Sequence, residues 1–228
     1  YNILNIMVDP SLTPDAMNAI AGNGLASTAI QNDRFTNITS FPLNVVYDIV
    51  PVSADGCEGD MRQVIVTVQP KPILTPGLNE TLCSNLPSNI ILSVTNGVSG
   101  VTYNWDAPVM TGGMTGGTAG PSGIINDIFN NTTGSPQTAT YRVVPISGLG
   151  CPGDTATVVI TVNPNPTASI NGGLDPLFVC GGEDLILNGN PTDGSGNYVS
   201  HMWSGQIGSL DNITIQTPTF NTTFTGSY

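Results

Sequence analysis

Few residues in this sequence are equipped for chemistry, and their spacing narrows the field. There are four cysteines, Cys57, Cys83, Cys151 and Cys180, and one histidine, His201. No Cys-x-x-Cys pair is present, so a zinc-type ligand set is not assembled. His201 would need a nucleophile or a carboxylate beside it to act as a general base. It stands two residues from Trp203, a setting that favours a structural imidazole. Asp193-Gly194-Ser195-Gly196-Asn197 offers oxygen ligands in a flexible turn. Such a turn suits calcium, although the dense carboxylate spacing of an EF-hand is missing and a solvated turn is the alternative. The stretch Thr111-Gly112-Gly113-Met114-Thr115-Gly116-Gly117 is followed by no lysine, so it forms no phosphate cradle. No Asp/Glu cluster sits among aromatics as a sugar-cleaving cleft requires. Asn-x-Thr sequons occur at Asn37, Asn79, Asn130, Asn131, Asn212 and Asn221, and they arise easily in a chain with 23 Asn and 27 Thr. The expectation is therefore no catalytic residue, no metal and no cofactor other than calcium.

The elements that must position these residues follow from composition and repetition. The chain has 228 residues, of which 45 are Gly or Pro, and only 9% are charged. Four basic residues against 16 acidic ones give a net charge of −12, which cannot neutralise a phosphate backbone and excludes nucleic acid as a partner. No run of 18 apolar residues exists, so no membrane-spanning helix is expected in this segment. No basic region followed by an apolar run opens the chain, so no signal peptide is expected either. Hydrophobic content of 39% suffices for packed cores.

Those cores are repeated. Residues 47–72, YDIVPVSADGCEGDMRQVIVTVQPKP, align without a gap at an offset of 94 with residues 141–166, YRVVPISGLGCPGDTATVVITVNPNP. From Ile30 to Pro72 there are 20 identities in 43 positions, far above chance, so the domain is duplicated. Cys83, Ile90-Ile91-Leu92 and Trp105 are echoed by Cys180, Leu185-Ile186-Leu187 and Trp203. Tyr1-Asn2-Ile3 matches Tyr103-Asn104-Trp105 at an offset of 102, which places about eight extra residues before Ile30. This phase predicts a partial repeat over 1–72 lacking its first strands, a complete repeat over 73–166, and a partial repeat over 167–228 lacking its last strands. The sequence then reads as a window on a longer tandem array.

Val64–Val68 and Val158–Val162 are β-branched runs bounded by turn residues and read as buried strands. Tyr141–Val144 alternates and reads as a hairpin partner, with Pro145 at an edge or bulge because it has no N–H to donate. Short strands with almost no helical periodicity predict an all-β fold: tandem immunoglobulin-like sandwiches in an elongated rod, joined by stiff Gln69-Pro70-Lys71-Pro72 and Asn163-Pro164-Asn165-Pro166 linkers. One helical turn is expected over 13–20, with Thr13 capping and Pro14 in the first turn. Trp105, Trp203, Tyr47 and Tyr141 are the expected core aromatics. Asp33 and Asp127 recur at one repeat position and are expected to close a turn through side-chain to backbone bonds. Cys83 and Cys151 fall within one complete repeat. If the second and sixth strands run antiparallel, both lie at one end, and a disulfide closing about 68 residues adds about 4 kcal/mol. Cys57 and Cys180 would then pair outside the window. Free buried thiols are the alternative.

Tyr141-x-Val-x-Pro145, Gly150-Cys151-x-Gly153, the Val/Ile/Thr strand and Val162-Asn163-Pro164-x-Pro166 together resemble the PKD-like immunoglobulin-type repeats of Bacteroidota surface proteins. Trp203-Ser204-Gly205 and Tyr228 are similar to the same group. The helical stretch near 11–20, and Ile3 in place of tryptophan, depart from it. The resemblance implies a very large secreted protein of gliding-associated or adhesin type, exported by the type IX pathway. It also implies O-glycosylation of Thr155 in Asp154-Thr155-Ala156, a modification the first repeat cannot share because it has Asp60-Met61 there.

The expected function is a non-catalytic structural or adhesive segment of a cell-surface protein or filament. Its partners would be neighbouring repeats, further copies in a fibre, and surface polysaccharide or other cells. The alternative is a carbohydrate-binding accessory region of a secreted hydrolase, which would expose aromatics in a groove; 6% aromatics, mostly at repeated core positions, speaks against it.

Overall fold

The structure, a computed structural model, describes residues 1–174, 176–194, 196–205 and 207–222. In its first region β1 (Asn2–Val8), β4 (Leu43–Val50) and β5 (Arg62–Val68) form an antiparallel sheet in the order β1-β4-β5, with a bulge between Ile3 and Asn5. Between them, β2 (Thr13–Pro14) pairs with β3 (Phe35–Thr36). β4 is the buried strand: Leu43, Val45 and Tyr47 alternate inward and join Leu12 in a small core.

The expected helical turn over 13–20 is absent. Thr13 and Pro14 instead pair with Thr36 and Phe35. The chain beyond is held open because Asn18 exchanges side-chain bonds with the Arg34 backbone while Asp33 Oδ1 accepts from Ala19 N at 2.7 Å. Ala19 N, and Asp15 N, which donates to Arg34 O at 2.9 Å, are thereby spent on distant partners instead of helical ones.

The second region is a full sandwich. Its main sheet runs β6 (Glu80–Cys83), β14 (Ala156–Asn163), β13 (Gln137–Ile146), β8 (Thr102–Trp105), with β9 (Val109–Met110) also on β13. Facing it are two short pairs, β7 (Ile90–Ile91) with β11 (Ile124–Ile125) and β10 (Thr115–Gly116) with β12 (Phe129–Asn130). Val158, Ile160 and Val162 of β14 and Ala139, Tyr141 and Val143 of β13 are fully buried between the layers. Phe129 meets Tyr141 edge-on at 6.5 Å. Pro145 lies two residues beyond the last β13–β14 pair, Val143 with Ala156, so the ladder loses nothing to its missing N–H. Its carbonyl still accepts from Gly153 N at 2.7 Å.

Among its described residues the third region carries four short strands, β15 (Pro166–Thr167) on β17 (Thr192–Asp193) and β16 (Asp184–Ile186) on β18 (Thr219–Asn221). The fold class is thus all-β, built on immunoglobulin-like sandwich architecture. No helix among the described residues is long and apolar enough to cross a membrane.

Candidate functional site

The cysteines do not pair. All four are free thiols; Cys57, Cys83 and Cys180 are exposed and Cys151 is half-buried. The expected Cys83–Cys151 disulfide is ruled out by strand direction. β6 runs parallel to β14, placing Cys83 beside Asn163, whereas Cys151 precedes Ala156 at the other end of the same strand. Seven residues of extended chain separate those ends, about 23 Å, against the roughly 6 Å that a disulfide spans.

The sequence-predicted aromatics divide. Tyr47, Trp105 and Tyr141 are buried. Trp203 is only half-buried, because no strand covers it among the described residues as β13 covers Trp105 through Val143. Both indoles donate to a carbonyl, Trp105 to Thr118 O and Trp203 to Ile215 O. Trp203 lines a cavity of about 280 Å³ with Tyr198, His201 and Met202, and no acidic residue lines it. His201 Nε2 is buried there without a hydrogen-bond partner among the described residues. Thr155 is exposed beside Asp154. Of the turn 193–197, Ser195 lies outside the described residues, as do 223–228 with Tyr228.

Two sets of side chains recur at an offset of 94, and sequence reasoning saw only part of them. Asn37 is 1% exposed and Asn131 is 4% exposed. Asn131 Nδ2 donates to Ser135 O and Val162 O, while its Oδ1 accepts from the N and Oγ1 of Thr133. Asn37 makes the matching bonds to Phe41 O, Val68 O and Thr39. These sequons are internal clamps: the Asn–Thr spacing serves an Asx turn, and the amide hydrogens are spent on buried carbonyls. Asn212 and Thr214 repeat the turn half of the device.

The second set is an Asp–Tyr latch. Tyr47 Oη donates to Asp33 Oδ2 at 2.7 Å, and Tyr141 Oη donates to Asp127 Oδ2. Asp127 also accepts from Thr118 N and Oγ1. The local turn closure expected of Asp33 and Asp127 is not what they do: their backbone donors, Ala19 N and Thr118 N, lie 14 and 9 residues away, and the tyrosine fourteen residues on was the missed partner. Burial first, then the bond to the neighbouring carboxylate, pushes both phenols well above the ordinary tyrosine value.

A built junction joins the first two regions. Asn96 Nδ2 donates to Ile38 O at 3.0 Å and Lys71 O at 2.8 Å, and its Oδ1 accepts from Ile73 N. Lys71 N donates to Asn37 O, and Lys71 Nζ pairs with Asp154 at 2.6 Å. Gly153 closes against the linker: a Cβ there would fall 2.2 Å from Pro72 O. The Gly-Cys-x-Gly motif therefore supplies close approach at a joint. The arrangement fixes one unit against the next through polar contacts and offers no reacting group.

A profile described as the PKD-like domain matches residues 13–72 and 80–166, more than half of the chain, and the chain belongs to that family. Among solved structures, the extracellular cadherin domains 3–6 of protocadherin gamma B2 align with all of this chain at 10% identity and a TM-score of 0.32; the chain spans 59% of that structure's length. No curated protein matches the chain.

Proposed function

We propose that this chain is a non-catalytic structural and adhesive segment of a large extracellular protein assembled from PKD-like repeats. The observation that supports this most is the joint between the first two regions. Lys71, Asn96, Asp154 and Gly153 hold consecutive units in a defined relation, as a stalk requires and an isolated binding module does not. PKD-like membership agrees with a structural or adhesive role and an extracellular location. The finer reading is a Bacteroidota surface protein of gliding-associated or adhesin type, type IX secreted, organised as a partial, a complete and a second partial repeat over 1–72, 73–166 and 167–228. Neighbouring repeats are its first partners. Fibre formation and contact with polysaccharide or other cells follow from the same reading, and exposed Thr155 is its glycosylation site.

Immuno-electron microscopy on intact producer cells, with antiserum against residues 73–166, tests the proposal. Label along projections or filaments is expected. Label confined to the cell interior, or to a soluble enzyme in the medium, overturns it.

The second reading, a carbohydrate-binding accessory region, has one observation in its favour, the half-exposed Trp203 beside Tyr198 and His201. Retention on a glycan array that is lost in Trp203→Ala would establish it.

A further inference from the structure

The joint that follows the complete unit has the same frame as the one before it but lacks its donors. Thr95-Asn96-Gly97 corresponds to Thr192-Asp193-Gly194, with Gly97 and Gly194 both at φ +67°. Thr192 pairs with Thr167, as Thr95 N bonds to Ile73 O at the matching place. At an offset of 94, Ile38, Lys71 and Ser40 correspond to Thr132, Asn165 and Gly134. In the first joint an amide N–H₂ sits between two carbonyls. In the second, that position holds a carboxylate, which when ionised only accepts.

The consequences are visible around Asp193. Its Oδ2 takes the hydroxyl of Thr167 at 2.8 Å and that of Thr192 at 3.3 Å. Its Oδ1 reaches across the joint, 3.3 Å from where a Cβ on Gly134 would lie. Among the described hydrogen bonds, the carbonyls of Thr132 and Asn165 have no donor. Asp193, Thr132, Asn165, Thr167, Asn85 and Asn130 line one cleft of about 210 Å³. It is a strongly polar recess, rich in oxygen and free of basic side chains, on a chain of net charge −12.

We infer that this cleft is a calcium site, in which the ion replaces the amide N–H₂ as the positive centre between the two units. A hard divalent cation suits one carboxylate, main-chain and amide oxygens and water, and the irregular set favours calcium over the octahedral demands of magnesium. The ligands come from both sides of the joint, so the site exists only when the second and third regions are linked. With a single carboxylate it belongs with weak extracellular sites, with a dissociation constant on the order of 1 mM. The inference does not depend on the adhesive reading.

The test is a calcium chloride titration of the full chain to about 20 mM, a range set by such weak sites, followed by heteronuclear NMR. Saturable amide shifts are expected at Thr132, Asn165, Asp193 and Gly194, with no equivalent response to magnesium. Asp193→Asn should remove the response while leaving the amide spectrum of the buried strands β13 and β14 in place. In the converse variant, Asn96→Asp, a new calcium response should arise at Ile38 and Lys71. Absence of saturable shifts at the named residues overturns the inference, as does an undiminished response in Asp193→Asn or an equal response to magnesium.

Discussion

β5 and β14 are two copies of one strand with opposite fates. Val64, Ile65 and Val66 are 39%, 59% and 41% exposed, whereas their counterparts Val158 and Ile160 are fully buried and Val159 is half-buried. The hairpin partner, the turn and the Asn clamp are the same in both. What differs is the neighbour: β14 has β6 along its outer edge and the β7–β11 pair across its face, and β5 has neither among the described residues. Burial here is a property of the completed sandwich rather than of the β-branched run, so strand propensity and core membership must be read separately.

The widest gap between the copies should appear on truncating this strand. Ile160→Ala removes a fully buried side chain and should cost about 2–5 kcal/mol. Val66→Ala, at the same repeat position, should cost under about 0.5 kcal/mol. Denaturant unfolding of the two variants compares them directly, and equal losses would dissolve the distinction.

Next comes the clamp, where the copies should agree. Asn131→Ala strands Val162 O and Asn37→Ala strands Val68 O, while Ser135 O and Phe41 O keep the hydroxyls of Thr133 and Thr39. Each should cost about 1–3 kcal/mol, the scale for leaving one buried carbonyl unpaired. Mass spectrometry should find neither asparagine glycosylated, since both amides are engaged inside the fold.

The latch gives a smaller effect with a pH signature. Tyr141→Phe and Tyr47→Phe each lose a bond to a carboxylate, about 1.5–3 kcal/mol at most. The phenols are raised above their unfolded value of about 10. A group shifted upward contributes stability that is intact below that value and is lost as the pH rises past it towards the folded value. Alkaline unfolding should therefore begin above about pH 10. Ultraviolet titration should show Tyr47 and Tyr141 ionising above the free phenol value of about 10, and ionisation of both at that value would refute the latch. The smallest effect belongs to Lys71→Met. Its partner Asp154 is 89% exposed, so the loss should be no more than about 1 kcal/mol and should fade with added salt.

Much of this was legible beforehand, for identifiable reasons. The duplication, the β13–β14 hairpin and the place of Pro145 all follow from local chemistry repeated at a fixed offset. The failures involve distant partners. Thr13-Pro14 is compatible with either a helix start or a strand edge, and Asp33 and Arg34 decide between them from across the region. Cys83 and Cys151 looked adjacent only on the assumption that antiparallel second and sixth strands bring both to one end; Cys83 instead ends β6, a strand parallel to β14, and strand direction leaves no mark in composition. The sequons look like a product of abundant Asn and Thr, and the buried Asx turns at Asn37 and Asn131 show only once Val68 and Val162 stand beside them. Trp203 was read as core by analogy with Trp105, although the side chain is covered only where a sheet stands over it.

The parallel pairing of β6 with β14 also determines how the middle unit responds to tension. The chain enters beside Pro72 and leaves beside Asn163, so a pull on its two ends draws β6 backwards and β14 forwards along a shared axis. The rungs from Glu80–Ile160 to Cys83–Asn163, extended by Ser84 N to Asn163 O and Val159 N to Asn79 Oδ1, are then strained together instead of peeling one after another. A hairpin pulled from its open end yields bond by bond; this pair must slide as a block, and the unit resists stretching at the seam where its first and last strands meet.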